Sequence, residues 1–297
     1  MKVIKPIAIT VGVLLSSTAA ETYAEYSASA AYALGARVTL ASTGKLYECI
    51  QAPNTGNAPD TSALWWMLAG PTNRAAMFDD EISTQTVQAS PLTVVLKPGY
   101  VNSLAIFGLE GAQLNVTVRN GLAGPVVYSR SMLLDGTVIA DWYQYFFEPA
   151  VQLGDVVLTD LPPYGNAHIT VAITGPGIVK CGQLTLGTFY ALGDTQYGAS
   201  AGIIDYSRKD TNATTGATTF VRRRFSKRMS ASLMLDNAQL NKVQRVLADL
   251  RATPCAWIGT DAPGFEPLTL FGFYRDFSLD VAYPTTSLCT LEIEGLA

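Results

Sequence analysis

The sequence predicts a mainly β, multi-domain chain, and three observations predict it. Hydrophobic residues make up 48% of the 297 positions while charged residues make up only 15%, against about 25% in ordinary soluble domains. Twenty-five Gly and fifteen Pro punctuate the chain at short intervals, as turns between strands require. Apolar residues alternate through most of the length instead of recurring at helical spacing. This composition excludes a disordered chain, a coiled coil and a collagen-like fibre. The length allows two or three domains, each with its own core.

Residues 1–22 open with Lys2 and Lys5 before an apolar run, Ile7 to Leu15, and then Ser-Ser-Thr-Ala-Ala. That layout fits a secretory signal peptide with a short apolar region. It also fits an N-terminal strand, since Val3, Ile4, Ile7, Ile9, Val11 and Val13 are β-branched. We read residues 1–22 as a retained N-terminal arm that becomes ordered on assembly. The run is too short to cross a membrane, and no other segment approaches the apolar length of a span.

Residues 23–70 read as a small β unit. Tyr32 to Val38, a turn at Ser42–Gly44 and the alternating Lys45-Leu-Tyr47-Glu-Cys49 give a hairpin signal. A Pro/Gly loop, Pro53 to Pro59, leads to Trp65-Trp66. The layout resembles the small carbohydrate-binding modules of bacterial chitinases. The resemblance implies aromatics stacked on sugar rings, with Tyr32, Tyr47, Trp65 and Trp66 as candidates. The blander reading makes Tyr47 and one Trp the core. Neighbours in a strand point to opposite faces, so one Trp is expected buried and the other outward. The outward one is expected to dock on the next unit, because Gly70-Pro71-Thr72 leaves almost no linker.

Residues 71–190 read as a β-sandwich. Expected strands are Leu92–Leu96, Ser103–Leu109, Leu114–Arg119, Val126–Ser131, Trp142–Glu148, Val156–Thr159, Ile169–Thr174 and Gln183–Gly187, separated by turn dipeptides such as Asn120-Gly121. In the cluster Trp142-Tyr143-Gln144-Tyr145-Phe146-Phe147, alternation makes both faces aromatic, one for the core and one for an interface that includes Tyr143 and Tyr145. This unit holds 5 basic and 9 acidic residues, which is the whole negative balance of the chain. Its closing run, Cys181-Gly-Gln-Leu-Thr-Leu-Gly187, resembles the last strand of a galactose-binding-like jelly roll.

Residues 191–297 read as an α+β unit with one helix on an antiparallel sheet or barrel. Strands are expected over Ala199–Ser207, Thr218–Lys227, Met229–Leu235, Cys255–Gly259, Leu268–Phe277 and Cys289–Ile293, with a polar hairpin tip at Asp210–Gly216. Asp236 and Gln239 suggest a capping box, and Leu240, Val243, Leu247 and Leu250 are spaced as one helix face. Arg222, Arg223, Arg224, Lys227 and Arg228 form a basic run. The unit as a whole has 11 basic and 11 acidic residues, so no net field draws phosphate, and nucleic acid is not an expected partner. We read the run as a hairpin arm that meets an acidic neighbour.

No catalytic chemistry is expected. The single histidine, His168, lies at a strand position, and the cysteines at 49, 181, 255 and 289 are scattered. That leaves no metal or redox motif and reads as buried free thiols in a reducing compartment. No cofactor is expected, and no phosphate loop or nucleophile elbow is present.

An ordered series of segments carries a broader resemblance. It runs through Leu64-Trp-Trp, Gly70-Pro-Thr-Asn-Arg74, Trp142 to Pro149, Leu158 to Tyr164, Ile204-Asp-Tyr-Ser-Arg-Lys209, Leu250-Arg-Ala-Thr-Pro254, Tyr274-Arg-Asp-Phe277 and Glu292-Ile-Glu-Gly-Leu296. Over nearly the full length this resembles tail-tip or baseplate proteins of tailed bacteriophages and prophages. The resemblance implies a virion structural protein assembled in the host cytoplasm, partnered by other tail proteins and by copies of itself. The last unit resembles, at fold level, the tail-tube-like domains that form rings. The alternative is a receptor-contacting tail protein that binds a host-surface glycan.

Overall fold

A computed structural model describes every residue except Val11, Val138, Asn212, Pro263, Ala282 and Ala297. The chain is mainly β, as the composition requires. Its largest element is a ten-stranded antiparallel sheet curled into a half-barrel. The strand order is Val156–Leu158, Ser103–Phe107, Gln183–Ala191, Lys2–Pro6, Cys255–Ile258, Thr269–Asp280, Thr286–Gly295 and Phe225–Asp236. The last of these also pairs, on its far side, with Asp194–Thr195 and Ser200–Asp205. A second sheet has the order Val126–Leu133, Gln113–Asn120, Ala167–Thr174, Leu92–Leu96 and Leu14–Ser17.

The N-terminal segment is not an arm. Lys2–Pro6 pairs with Gln183–Ala191 on one side and Cys255–Ile258 on the other, so it joins the sandwich to the α+β unit within one sheet. Val3 and Ile4 point to opposite faces and both are fully buried. The β-branched residues that suggested a strand therefore fill two cores at once, which an unpaired arm could not do. Leu14–Ser17 then adds the edge strand of the second sheet.

Alternation divides the large sheet into two faces. Leu104, Ile106, Leu184 and Leu186 meet Val94, Val116, Ile169 and Val171 of the second sheet, forming the sandwich core. On the same face, Val3, Trp257 and Leu291 meet Val243, Leu247 and Leu250 of the helix Leu240–Asp249 and the turn that follows it. The helix is where its leucine spacing puts it, but the capping box does not form. Asn237–Gln239 is a 3-10 turn without a side-chain cap at Asp236. Asn237 holds the turn instead, donating from Nδ2 to the carbonyls of Tyr283 and Pro284. The Tyr274 hydroxyl donates to the Leu247 carbonyl at 2.9 Å and ties the helix to the sheet. The opposite face carries a smaller cluster of Ile4, Ala105, Phe107, Ala256, Ile258 and Phe271.

The small unit has a three-stranded sheet, Arg37–Leu40, Lys45–Cys49 and Trp66–Pro71, and a short pair, Ala31–Tyr32 with Asn54–Thr55. One expected strand is absent and another is interrupted. Trp142–Phe147 is a helix. The return arm Thr218–Lys227 breaks after Val221, so Arg222, Arg223 and Arg224 lie between the strands Thr218–Val221 and Phe225–Asp236.

Candidate interaction surfaces

The small unit uses most of its aromatics internally. Trp66 is 3% exposed and Tyr47 is 8% exposed, with Val38 and Cys49 beside them. The Trp66 indole donates to the Asn57 carbonyl at 2.8 Å. Tyr32 packs edge-on against Trp66 at 5.1 Å and stacks on Tyr26, and its hydroxyl donates to the Ser27 carbonyl. Tyr47 and Trp66 thus serve as core and offer no ring face to a sugar. Trp65 is half-buried against the same core. It packs on the core of its own unit instead of standing fully outward. The opposite-face argument fails because Trp65 lies in the turn before the strand, which begins at Trp66.

The two units are joined by Thr72 to Arg74 instead. Thr72 is buried and its N–H donates to the Gly44 carbonyl. Asn73 donates to the carbonyls of Ala20 and Val87 and accepts from the Val87 N–H. Arg74 donates to the Ala19 carbonyl. Beside this clasp lies a cleft of about 820 Å³ between the small unit and the edge strand Leu14–Ser17. Glu21, Glu25, Asp79, Glu81 and several Ser and Thr residues line it. The Glu21 Oε2 atom is buried and has no hydrogen-bond partner among the described residues. Burial pushes the Asp79 carboxyl above its ordinary value, opposed by hydrogen bonds from the Thr84 hydroxyl and the Glu81 N–H.

Among the described residues, exposed apolar side chains are densest on the lobe formed by 135–137 and 139–152. Its helix holds five aromatics, Trp142, Tyr143, Tyr145, Phe146 and Phe147, with exposures from 59% to 78%. Asp141 caps it by accepting from the Gln144 N–H at 2.8 Å, and Gln144 Oε1 accepts from the Ala140 N–H. The spacing Asp-x-x-Gln is that of a capping box, with the return bond shifted by one residue to the Ala140 N–H. It was the available sequence signal for a helix, and the alternation of aromatics masked it. The helix brings together Trp142 with Phe146 and Tyr143 with Phe147, at the i, i+4 spacing. A closed neck holds the lobe to the body: Gly136 N–H to Val151 O, Leu153 N–H to Leu134 O, and Gln152 Nε2 to Gly111 O. The interface candidates Tyr143 and Tyr145 are both solvent-facing here.

The basic run finds acidic neighbours within the chain. Arg224 pairs with Glu81 at 3.1 Å, and Lys227 pairs with Asp155. Arg222 faces Asp205 and helps hold its carboxyl below the ordinary value, after the hydrogen bonds from Ser207. Arg223 makes no ion pair with the described residues, and Arg228 lies alongside Gly202. Under Arg224 and Lys227 opens an apolar cavity of about 310 Å³ on the second face of the large sheet.

His168 is buried in the strand Ala167–Thr174, its Nδ1 at 3.1 Å from the Asn166 carbonyl. All four cysteines are buried and free. Among the described residues, no group of His, Cys, Asp and Glu is arranged to hold a metal ion, and no helix is long and apolar enough to cross a membrane. No family model matches the chain, and no curated protein matches it.

Proposed function

We propose that the chain is a structural, non-enzymatic subunit of a bacteriophage tail tip or baseplate. It makes contacts with other tail proteins and with copies of itself. The observation that carries this reading is the lobe. Five aromatics held by a capped helix on a closed neck form a preformed apolar projection. Covering such side chains is worth about 1.5–3 kcal/mol each before binding costs, and large exposed apolar patches mark interaction sites. The buried free thiols support assembly in a reducing host cytoplasm before the chain enters the virion. The ordered segment resemblance supplies the identity of the particle.

A second reading, a glycan-binding role in host attachment, is favoured by the cleft between the small unit and the edge strand. Its carboxylates and hydroxyls could accept and donate to vicinal diols. The test that separates the two is quantitative mass spectrometry of gradient-purified particles, run beside a glycan array. Subunit status predicts a fixed whole number of copies per particle and an array signal no higher than background. A chain absent from the particles, or one bound to glycans while missing from them, overturns it.

A further inference from the structure

We propose that the aromatic helix Trp142–Phe147 of one copy seats in the apolar cavity beside Phe225 of a second copy, joining copies head to tail. This rests on the reading above and names the partner. Phe107, Phe225, Leu270, Phe271, Ile82 and Leu296 form the apolar lining of the cavity, whose volume is about 310 Å³. A cavity of roughly 150 Å³ takes up one benzene ring, so this one has room for two rings. The helix offers rings in adjacent pairs, Trp142 with Phe146 and Tyr143 with Phe147.

Charge complements shape. The lobe itself carries Asp135, Asp141 and Glu148 and no Lys or Arg, while Asp155 lines the cavity and pairs with Lys227. Asp141 and Glu148 flank the helix directly. The cavity mouth is edged by Arg224 and Lys227, with Arg222 and Arg223 just before them. Glu81, Asp155 and Asp205 already face three of these cations, which leaves Arg223 to receive a carboxylate from outside. Such pairing across an interface sets orientation more than affinity.

The occupant is another copy because the neck holds the helix where its own aromatics face solvent. Lobe and cavity are different patches, so the contact is heterologous. It closes into a ring or runs on as a filament, depending on the rotation between copies.

Sedimentation of the full chain over a concentration series tests this, with two variants whose changes are at exposed positions. The double variant F146S/F147S removes the knob, and F225E puts a charge at the cavity mouth. The intact chain is expected to gain mass with concentration. Each variant should weaken association at least about tenfold. An equimolar mixture of the two should give a dimer, since one supplies a sound helix and the other a sound cavity. Circular dichroism checks that each variant is folded. Wild-type behaviour of either folded variant, no dimer in the mixture, or an intact chain that stays monomeric overturns the inference. A monomeric chain that is still counted in purified particles sinks this contact and leaves the subunit reading standing.

Discussion

At the scale of single residues, the buried groups make the clearest predictions. Burial pushes the Cys181 thiol from its ordinary 9.0 up to about 12. The folded chain therefore keeps a proton that the unfolded chain loses above pH 9. Stability is complete below that pH and falls as pH rises toward 12, by about 1.4 kcal/mol per unit for this group. Urea midpoints measured across that range should decline for the intact chain and decline less for Cys181→Ala, relative to each one's value at pH 8. The same burial should keep native thiols unreactive to a disulfide reagent until the chain unfolds. Trp66 and Trp65 give a second contrast. Trp66→Ala should cost about 3–5 kcal/mol, while Trp65→Ala, at a half-buried turn position, should cost under about 2 kcal/mol. Thermal melts followed by the small unit's own near-ultraviolet signal would measure both. Equal losses would contradict the core assigned to this unit.

At the scale of elements, the strand Lys2–Pro6 is the joint of the molecule. Ile4→Ala should cost about 2–5 kcal/mol, whereas Leu15→Ala, at an exposed position, should cost almost nothing. Gly187 lies opposite Pro6, and a Cβ there would sit 2.0 Å from the Lys5 carbonyl oxygen. Gly187→Ala should therefore push the strand aside and cost about 1–3 kcal/mol. Urea titrations of the three variants check these values, and no effect from the first and third would return the segment to an arm. Strands with one clear face were legible in the sequence, among them Leu92–Leu96 and Gln113–Asn120, as was the helix Leu240–Asp249. The place of Lys2–Pro6 was not, because its partners are some 180 and 250 residues away and alternation does not name them. The lobe misled for another reason. A run of aromatics fits a strand by propensity, and only the Asp141–Gln144 cap turns it into a helix. Of the candidate aromatics, the sequence offered Tyr47 and one of the two tryptophans as core, without naming which Trp, and packing made it Trp66.

At the scale of the whole molecule, one sheet unites a sandwich and a helix-covered half-barrel, and an aromatic knob and an apolar cavity lie on the surface. Interface burial should quiet the lobe. Hydrogen exchange at 141–148 should slow when the chain is assembled, while the amides of Lys2, Val3, Ile4 and Lys5 stay equally protected in both states. If the chain is a tail subunit that contacts its own copies, a density map of the purified tail will contain it. Repeated copies of this fold are expected at the tail's distal end, each with its Trp142–Phe147 helix covered by a neighbour. A map whose tail density is fully accounted for by other chains, with no place for this fold, would contradict it.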